Sequence, residues 1–169
     1  MKTKLFWIEG PWPGRLAILP RPRGGDWLEE EVRSWQQAGV GAVVSLLIPE
    51  EVADLDLIQE AELCRANQID LVSFPIVDRS VPPSRKATVA LVQRLDALLT
   101  AGTNVVIHCR QGVGRAAVIA ACTLVQAGGD PEAAFHRVSA ARGCPVPETS
   151  EQRNWVAAFA RALGEIHHP

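Results

Sequence analysis

Three apolar runs rich in β-branched residues alternate along the chain with stretches of helical character. The runs are GAVVSLLI (41–48), IDLVSFPI (69–76) and NVVIH (104–108). Continuous apolar runs of this length are typical of strands buried on both faces, as in a parallel sheet covered by helices. A fourth candidate strand is RLAIL (15–19). We therefore predict an α/β protein with a central, mostly parallel sheet flanked by helices on both faces.

Helices are predicted between these strands and after the last of them, at residues 26–39, 55–67, 84–100, 114–127, 131–141 and 149–166. Asp26 is expected to cap the first helix with Glu29 as its capping-box partner, and Asp130 to cap the helix that starts at Pro131. The last three helices follow one another, so the C-terminal part is expected to be helical. Because no linker or repeat interrupts the pattern, residues 1–169 are predicted to form a single domain.

Composition narrows the possible functions. Apolar residues make up 47% of the chain, enough for a buried core, and the net charge of −2 provides no basic field for nucleic acid or an anionic membrane. The four cysteines include no C-x-x-C pair, so neither a zinc site nor a disulfide framework is indicated. The apolar patch near the N-terminus is too short for a signal peptide. We expect a cytoplasmic protein that binds neither nucleic acid nor a membrane.

The segment VIHCRQGVGRAA (106–117) carries the strongest indication of chemistry. It places Cys109 where a buried strand ends, Gly112 and Gly114 in the following loop, and Arg115 where a helix starts. Backbone N–H groups of such a loop can form an anion nest, the helix N-terminus adds partial positive charge, and arginine can bind two oxygens of a tetrahedral oxyanion. The same field favours the thiolate of Cys109, a nucleophile for phosphorus, sulfur or arsenic. The alternative is a buried structural cysteine beside two glycines that turn the chain. It does not explain why a cysteine, two glycines and an arginine occur at these offsets between a strand and a helix.

The stretch HCRQGVGR resembles the phosphate-binding loop H-C-x-x-G-x-x-R of the cysteine-based protein phosphatases, the tyrosine and dual-specificity group. PGRLAIL, AVVSLL, FPIVDRSVPP and ARGCPVPETSEQRNWVAAF are similar, in order, to landmarks of small atypical dual-specificity phosphatases, over roughly residues 12 to 160. The resemblance implies a dual-specificity phosphatase-like fold. It also implies that Cys109 attacks phosphorus to form phosphocysteine. The implied phosphate-binding residues are Arg110, Gln111, Gly112, Val113, Gly114 and Arg115.

Asp78, in PIVDRSVP, matches the general acid of these phosphatases, which protonates the leaving oxygen and then activates water. The residues alone support this role, because a carboxyl group just beyond a strand shares the sheet edge of Cys109 and a positioned acid speeds such a step. An ordinary turn aspartate is the alternative. The resemblance further implies that His108 supports the loop, and, as a weaker match, that Gln152 orients the water.

One position departs from the family pattern. These phosphatases usually carry Ser or Thr after the arginine, and here the residue is Ala116. A missing hydroxyl predicts slow hydrolysis of phosphocysteine, and it leaves open a pseudophosphatase that binds a phosphorylated partner without turnover. A sulfurtransferase would also place a cysteine at a strand end, but it uses no acid like Asp78.

The expected substrate is a phosphorylated protein, on phosphotyrosine and/or phosphoserine/threonine, or another phosphomonoester. Phosphate, sulfate or vanadate is expected to bind as an active-site anion, and neither a metal nor an organic cofactor is implied, because the loop supplies its own charge. The chain contains no tyrosine, which favours a shallow pocket over a deep phosphotyrosine-specific one. The sequence leaves open whether Arg79, Arg85 and Arg110 attract polyanionic substrates. It also leaves open whether Cys64 or Cys144 can form a disulfide with Cys109.

Overall fold

The computed structural model describes residues 3–167, and a five-stranded sheet lies at its centre. The strands are β1 (Phe6–Ile8), β2 (Leu16–Leu19), β3 (Val40–Ser45), β4 (Asp70–Ser73) and β5 (Asn104–His108). Their order across the sheet is β1-β2-β5-β3-β4. All neighbouring strands are parallel except β1 and β2, which pair antiparallel at one edge. The prediction of a mostly parallel sheet is confirmed.

Seven α-helices connect and follow the strands in the described part of the chain. They are α1 (Leu28–Gln37), α2 (Pro49–Asp54), α3 (Glu60–Ala66), α4 (Arg85–Thr100), α5 (Arg115–Gln126), α6 (Pro131–Arg142) and α7 (Ser150–His167). Helices α5, α6 and α7 form the predicted helical C-terminal part. The side chain of Asp130 accepts a hydrogen bond from the Ala133 N–H (3.1 Å), so the expected cap of α6 is also present.

Side chains alternate along the strands between two cores, as the pleat of a sheet requires. On β2, Leu16 and Ile18 belong to the core that includes residues of α4, α5, α6 and α7, whereas Ala17 and Leu19 belong to the core that includes residues of α1 and α3. Helices therefore cover both faces of the sheet, as predicted. Helix α5 is buried from Arg115 to Val125, which places its N-terminus inside the protein.

Two details of the helix prediction are wrong. The helix predicted at 55–67 starts only at Glu60, as α3, because the chain turns at Asp56, where φ is +57°, and α2 (Pro49–Asp54) lies before the predicted stretch. Asp26 does not cap α1: it lies in a short 3-10 turn, Gly25–Trp27, and α1 begins without a side-chain cap. Glu29 forms an ion pair with Arg33 (2.9 Å) instead of a capping box.

The carboxyl ends of the parallel strands meet at one edge of the sheet. Ser45 of β3 and Leu19 of β2 are both in register with His108, the last residue of β5. The segments that follow these strands therefore lie side by side, and the segment after β4 joins them because the Ile76 N–H donates to the carbonyl oxygen of Leu46 (3.0 Å). Ligands of parallel α/β proteins bind at this edge. No helix within residues 3–167 is long and apolar enough to cross a membrane.

Candidate active site

The loop between β5 and α5 folds around the sulfur of Cys109. Cys109 is only 3% exposed, and the backbone N–H of Gly112 donates to its Sγ atom at 3.3 Å. Gly112 has a φ of +73°, and a Cβ atom there would lie 2.6 Å from the carbonyl carbon of Leu19. Only glycine suits this position, because it tolerates the left-handed conformation and leaves room for β2. The loop can therefore turn an N–H group toward the sulfur.

Carbonyl groups of the same loop are bound from outside. Arg142, at the end of α6, donates from Nε to the carbonyl oxygen of Gly112 (3.2 Å) and from Nη2 to that of Gln111 (3.3 Å). The N–H of Arg21 donates to the carbonyl oxygen of Arg110 (3.2 Å). Carbonyl groups held outward leave the N–H groups of a loop available to an anion, which is the arrangement of a backbone nest. Helix α5 begins directly after the loop and adds its partial positive charge.

Arg115 is the first residue of α5, and its side chain is 1% exposed. It donates to both carboxylate oxygens of Glu51 (2.7 and 3.0 Å) and to the carbonyl oxygen of Ile76 (2.9 Å). Its Nη2 atom also lies 3.1 Å from Oδ1 of Asp78. Two segments of the chain, α2 and the segment after β4, therefore hold this side chain in one orientation.

The charges of this cluster reinforce one another. Burial alone would lower the pKa of Arg115, but the hydrogen bonds to Glu51 and the nearby Cys109, Glu51 and Asp78 outweigh it and raise the pKa. Burial alone would raise the pKa of Glu51. Hydrogen bonds from Arg115 and from the Ile48 N–H outweigh this effect, together with the charges of Arg115 and Arg110, and hold the pKa of Glu51 below its usual range. Both groups are therefore charged at neutral pH. A fixed cation beside a sulfur is suited to binding an oxyanion.

Glu51 was not among the residues selected from the sequence. It lies in the first turn of α2, far along the chain from the loop, and no motif surrounds it. The one available signal is indirect: an arginine predicted to be buried requires a carboxylate partner, because an unpaired buried charge is costly.

Asp78 lies in the segment after β4, and its side chain is half exposed. Its contact with Arg115 brings it to the loop of Cys109, as the sequence predicted for the general acid. Gln152, on α7, is fully buried and binds the same segment through its Nε2 atom, which donates to the carbonyl oxygen of Ser80 (3.1 Å). Its Oε1 atom accepts from the N–H groups of Glu148 and Thr149 (3.1 and 3.2 Å). The water-orienting role of Gln152 stays a prediction, and its observed contacts position the Asp78 segment.

His108 lies directly before Cys109, at the end of β5. It is fully buried, its Nε2 atom lies 2.6 Å from Oε2 of Glu60, and its Nδ1 atom lies 3.4 Å from the carbonyl oxygen of Cys109. Glu60, the first residue of α3, is itself 4% exposed and was also missed from the sequence. A carboxylate on one imidazole nitrogen fixes the orientation of the ring and of the backbone that it contacts.

The remaining loop residues occupy different environments. The side chain of Arg110 is 46% exposed, with Nη1 3.7 Å from Glu51. Val113 packs partly buried against the core that contains α5. Ala116, in the first turn of α5, is fully buried. The exposed side chain of Arg110 is available to a substrate beyond its phosphate, as is that of Gln111.

The four cysteines are all free thiols. Cys64 belongs to the core with α1, whereas Cys109, Cys122 and Cys144 lie in or against the core with α5. Burial, with the charge of Glu60, raises the pKa of Cys64 to about 12. Burial also raises the pKa of Cys122. Both thiols are therefore inert. Within residues 3–167, no three His, Cys, Asp or Glu side chains are grouped so that they could hold a metal ion.

Comparison with known proteins agrees with this architecture. A family model described as a polymorphic toxin system DSP-PTPase phosphatase matches residues 19–129. No match was found among curated proteins. A kinase-associated phosphatase with serine in place of its catalytic-site cysteine superposes with a TM-score of 0.87 at 18% identity, over 97% of each chain. PTPMT1 in complex with PI(5)P gives 0.79 at 18% identity, over 95% of this chain and 99% of that one. A human tyrosine phosphatase-like serine/threonine/tyrosine-interacting protein gives 0.69 at 16% identity, over 99% of both chains.

Proposed function

Because the chain belongs to the DSP-PTPase phosphatase family and is a protein-tyrosine/dual-specificity phosphatase, we propose that it hydrolyses phosphomonoesters through a phosphocysteine formed at Cys109. Arg115 and the N–H groups of residues 110–115 hold the phosphoryl oxygens. Asp78 acts as the general acid and then as the general base. His108, held by Glu60, supports the loop.

The observation that carries this proposal is the environment of the Cys109 sulfur. Sγ accepts a hydrogen bond from the Gly112 N–H (3.3 Å) at the base of a loop that is followed by the buried Arg115, which is paired with Glu51. A thiolate is stabilised by such donors and cations, and an oxyanion is bound by the same groups. The nucleophile and the phosphate site therefore share one loop.

The proposed reaction has two steps. In the first, Sγ of Cys109 attacks phosphorus, the bond to the leaving oxygen breaks, and protonated Asp78 gives its proton to that oxygen. In the second, water attacks the phosphorus of phosphocysteine, the carboxylate of Asp78 accepts the proton, the sulfur–phosphorus bond breaks and inorganic phosphate leaves. The 3.1 Å contact between Asp78 and Arg115 supports this role, because it keeps the carboxyl group beside the cation that would bind the phosphate.

Ala116 makes the second step the slow one. A Ser or Thr hydroxyl at this position would stabilise the departing thiolate, and Ala116 has none. By analogy with oxyanion holes, one lost donor costs about 2.7–4 kcal/mol, or roughly 10²–10³ in rate. A protein that binds a phosphorylated partner without turnover is the second candidate, and the methyl group of Ala116, buried where the family carries a hydroxyl, is the observation in its favour.

Phosphotyrosine and/or phosphoserine/threonine in proteins are the proposed substrates, with phosphate, sulfate or vanadate as competing anions. The exposed guanidinium of Arg110 offers a contact to groups beyond the phosphate, and no tyrosine is available to build the wall of a deep pocket. A cytoplasmic location remains part of the proposal, because a reducing compartment keeps the nucleophilic thiol free.

Stopped-flow hydrolysis of p-nitrophenyl phosphate in EDTA tests the proposal, with Cys109→Ser as the inactive control. We expect a nitrophenol burst of about one equivalent followed by a slow phase, and acceleration of the slow phase alone in Ala116→Ser. Steady turnover without a burst, if it disappears in Cys109→Ser, would support the cysteine phosphatase but contradict the role of Ala116. No release of nitrophenol, with phosphate still bound, would favour the binding protein. Turnover that persists in Cys109→Ser would refute the assignment of Cys109 as the nucleophile.

A further inference from the structure

The turn that carries Asp78 is held in an unfavourable backbone conformation. The N–H of Ser80 donates to the carbonyl oxygen of Val77 (3.0 Å), which closes a four-residue turn with Asp78 and Arg79 at its centre. Arg79 has a φ of +63°. This left-handed conformation favours glycine or asparagine, so an arginine there requires compensation from contacts elsewhere.

An ion pair joins this turn to the segment before α7. Nη1 of Arg79 lies 2.9 Å from Oε2 of Glu148, in the segment that precedes α7. Arg79 is largely exposed, whereas the Glu148 side chain is 21% exposed. The hydrogen bond from Gln152 to Ser80 joins the same two segments a short distance away. The Asp78 turn is therefore fastened to the α7 segment at two adjacent residues.

Glu148 also touches the phosphate loop. A Cβ atom added to Gly114, the last residue before α5, would overlap Oε1 of Glu148. One carboxylate oxygen thus lies against the loop of Cys109 while the other binds Arg79. This places a negative charge beside a site built for anions, and Arg79 is the group that neutralises it.

We propose that Arg79 and Glu148 are positioning residues with a double role. Their ion pair fixes the Asp78 turn against the phosphate loop for proton transfer to the leaving group. It also cancels the charge of Glu148, which would otherwise repel the substrate phosphate. This inference rests on the proposed function, in which Asp78 is the general acid.

The two roles predict different effects for the two partners. Loss of either side chain loosens the Asp78 turn, so the first chemical step slows most for poor leaving groups, which depend most on the acid. Loss of Arg79 alone also leaves Glu148 unpaired near the phosphate, so KM rises. Loss of Glu148 removes that repulsion, so KM stays constant or falls.

The experiment measures the burst rate constant with p-nitrophenyl phosphate and with phenyl phosphate, which has a poorer leaving group. KM is here the substrate concentration that gives half of the maximal burst rate constant, so a slower first step does not by itself change it. The variants are Arg79→Asn, Glu148→Gln and the double variant. Asparagine tolerates the left-handed conformation, so Arg79→Asn removes the charge without straining the turn. Arg33→Asn, which breaks the exposed Arg33–Glu29 pair of the same length on α1, is the matched control.

In Arg79→Asn and Glu148→Gln we expect the burst with phenyl phosphate to slow about tenfold more than that with p-nitrophenyl phosphate, a part of the 10²–10⁴ available from a general acid. KM should rise in Arg79→Asn and return to the wild-type value in the double variant. The melting temperature of Arg79→Asn should stay constant or rise, which a purely structural role does not predict. Arg33→Asn should match the wild type in both rate and KM.

Asp78→Asn, measured in parallel, distinguishes failure of the positioning role from failure of the proposed general acid. If Asp78→Asn loses the phenyl phosphate burst selectively while Arg79→Asn and Glu148→Gln behave as wild type, the positioning role is wrong and the general acid stands. If Asp78→Asn shows no leaving-group dependence, the proposed acid is wrong and the inference falls with it. A KM that rises equally in both single variants would overturn the charge-neutralising role.

Discussion

Glu51 provides the strictest test of how Arg115 is held. Glu51→Ala removes two charge-assisted hydrogen bonds, at 2.7 and 3.0 Å, from a guanidinium that is 1% exposed. The groups left to Arg115 are the carbonyl of Ile76 and the half-exposed carboxylate of Asp78. Removing one partner of a buried ion pair costs about 3–5 kcal/mol. Because Asp78 retains part of the compensation, we expect the lower end, about 3 kcal/mol of unfolding free energy.

This loss is large for a domain whose total stability is about 5–15 kcal/mol. It corresponds to a fall in Tm of roughly 6–12 °C for a chain of this size. Glu51→Gln keeps one acceptor oxygen, so its loss should be about 1.5–3 kcal/mol, the value of a hydrogen bond to a charged group. Urea denaturation followed by tryptophan fluorescence measures both variants, with the slope of the transition as a check on two-state unfolding.

The matched control is Glu132→Ala, which breaks another arginine–carboxylate pair. Glu132 binds Arg153 through both oxygens (3.1 and 3.2 Å) but is 74% exposed. Exposed pairs contribute about 0–1 kcal/mol. If Glu51→Ala costs no more than Glu132→Ala, Arg115 is not held by a buried ion pair, and the proposed preorganisation of the phosphate site is refuted.

Three further predictions concern groups around the site. In urea denaturation, Glu60→Ala should lower the unfolding free energy by about 1–3 kcal/mol, because His108 loses its buried hydrogen-bond partner. Glu60→Gln should lose less, and an equal loss in the two variants would contradict this hydrogen bond. Burial alone would raise the pKa of Glu31 and Glu51, but hydrogen bonds outweigh it and hold both pKa values below 4.5 in the folded protein. Both carboxylates therefore stabilise the fold above pH 4.5. This stabilisation is lost as the pH falls through their pKa values in the folded state. Urea titrations at neutral pH and below pH 4.5 should therefore show a smaller acid loss in Glu51→Gln than in the wild type, and an equal loss would refute the assignment. Cys64, with a pKa of about 12, should resist iodoacetamide at neutral pH until urea unfolds the chain; mass spectrometry of the native protein that finds Cys64 alkylated would contradict this.

The residues predicted from the sequence share one property: a local pattern identifies them. Cys109 and Arg115 lie in one strand–loop–helix segment, and the apolar runs around them predicted the sheet edge where the structure brings Asp78. Alternation of strands and helices was sufficient for the fold class, because a parallel sheet needs crossover helices on its faces.

The residues that were missed act over long distances along the chain. Glu51, Glu60 and Arg142 lie 64, 48 and 30 residues from the groups that they bind. Each is an ordinary charged residue of a helix, and only the packing of that helix brings it to the loop. β1 was missed for a related reason, since a three-residue strand depends on its partner β2 more than on its own sequence. The break between α2 and α3 depends on the conformation of Asp56, which no glycine or proline marks.

The most direct test of the central claim is to trap the covalent intermediate. The protein is mixed with p-nitrophenyl phosphate, quenched in acid during the burst, digested and examined by mass spectrometry. We expect a phosphoryl group on the peptide that contains Cys109. It should be present in the wild type, less abundant in Ala116→Ser at steady state and absent in Cys109→Ser. Phosphate release from a protein that never carries a phosphoryl group on Cys109, or carries it on another residue, would contradict the account.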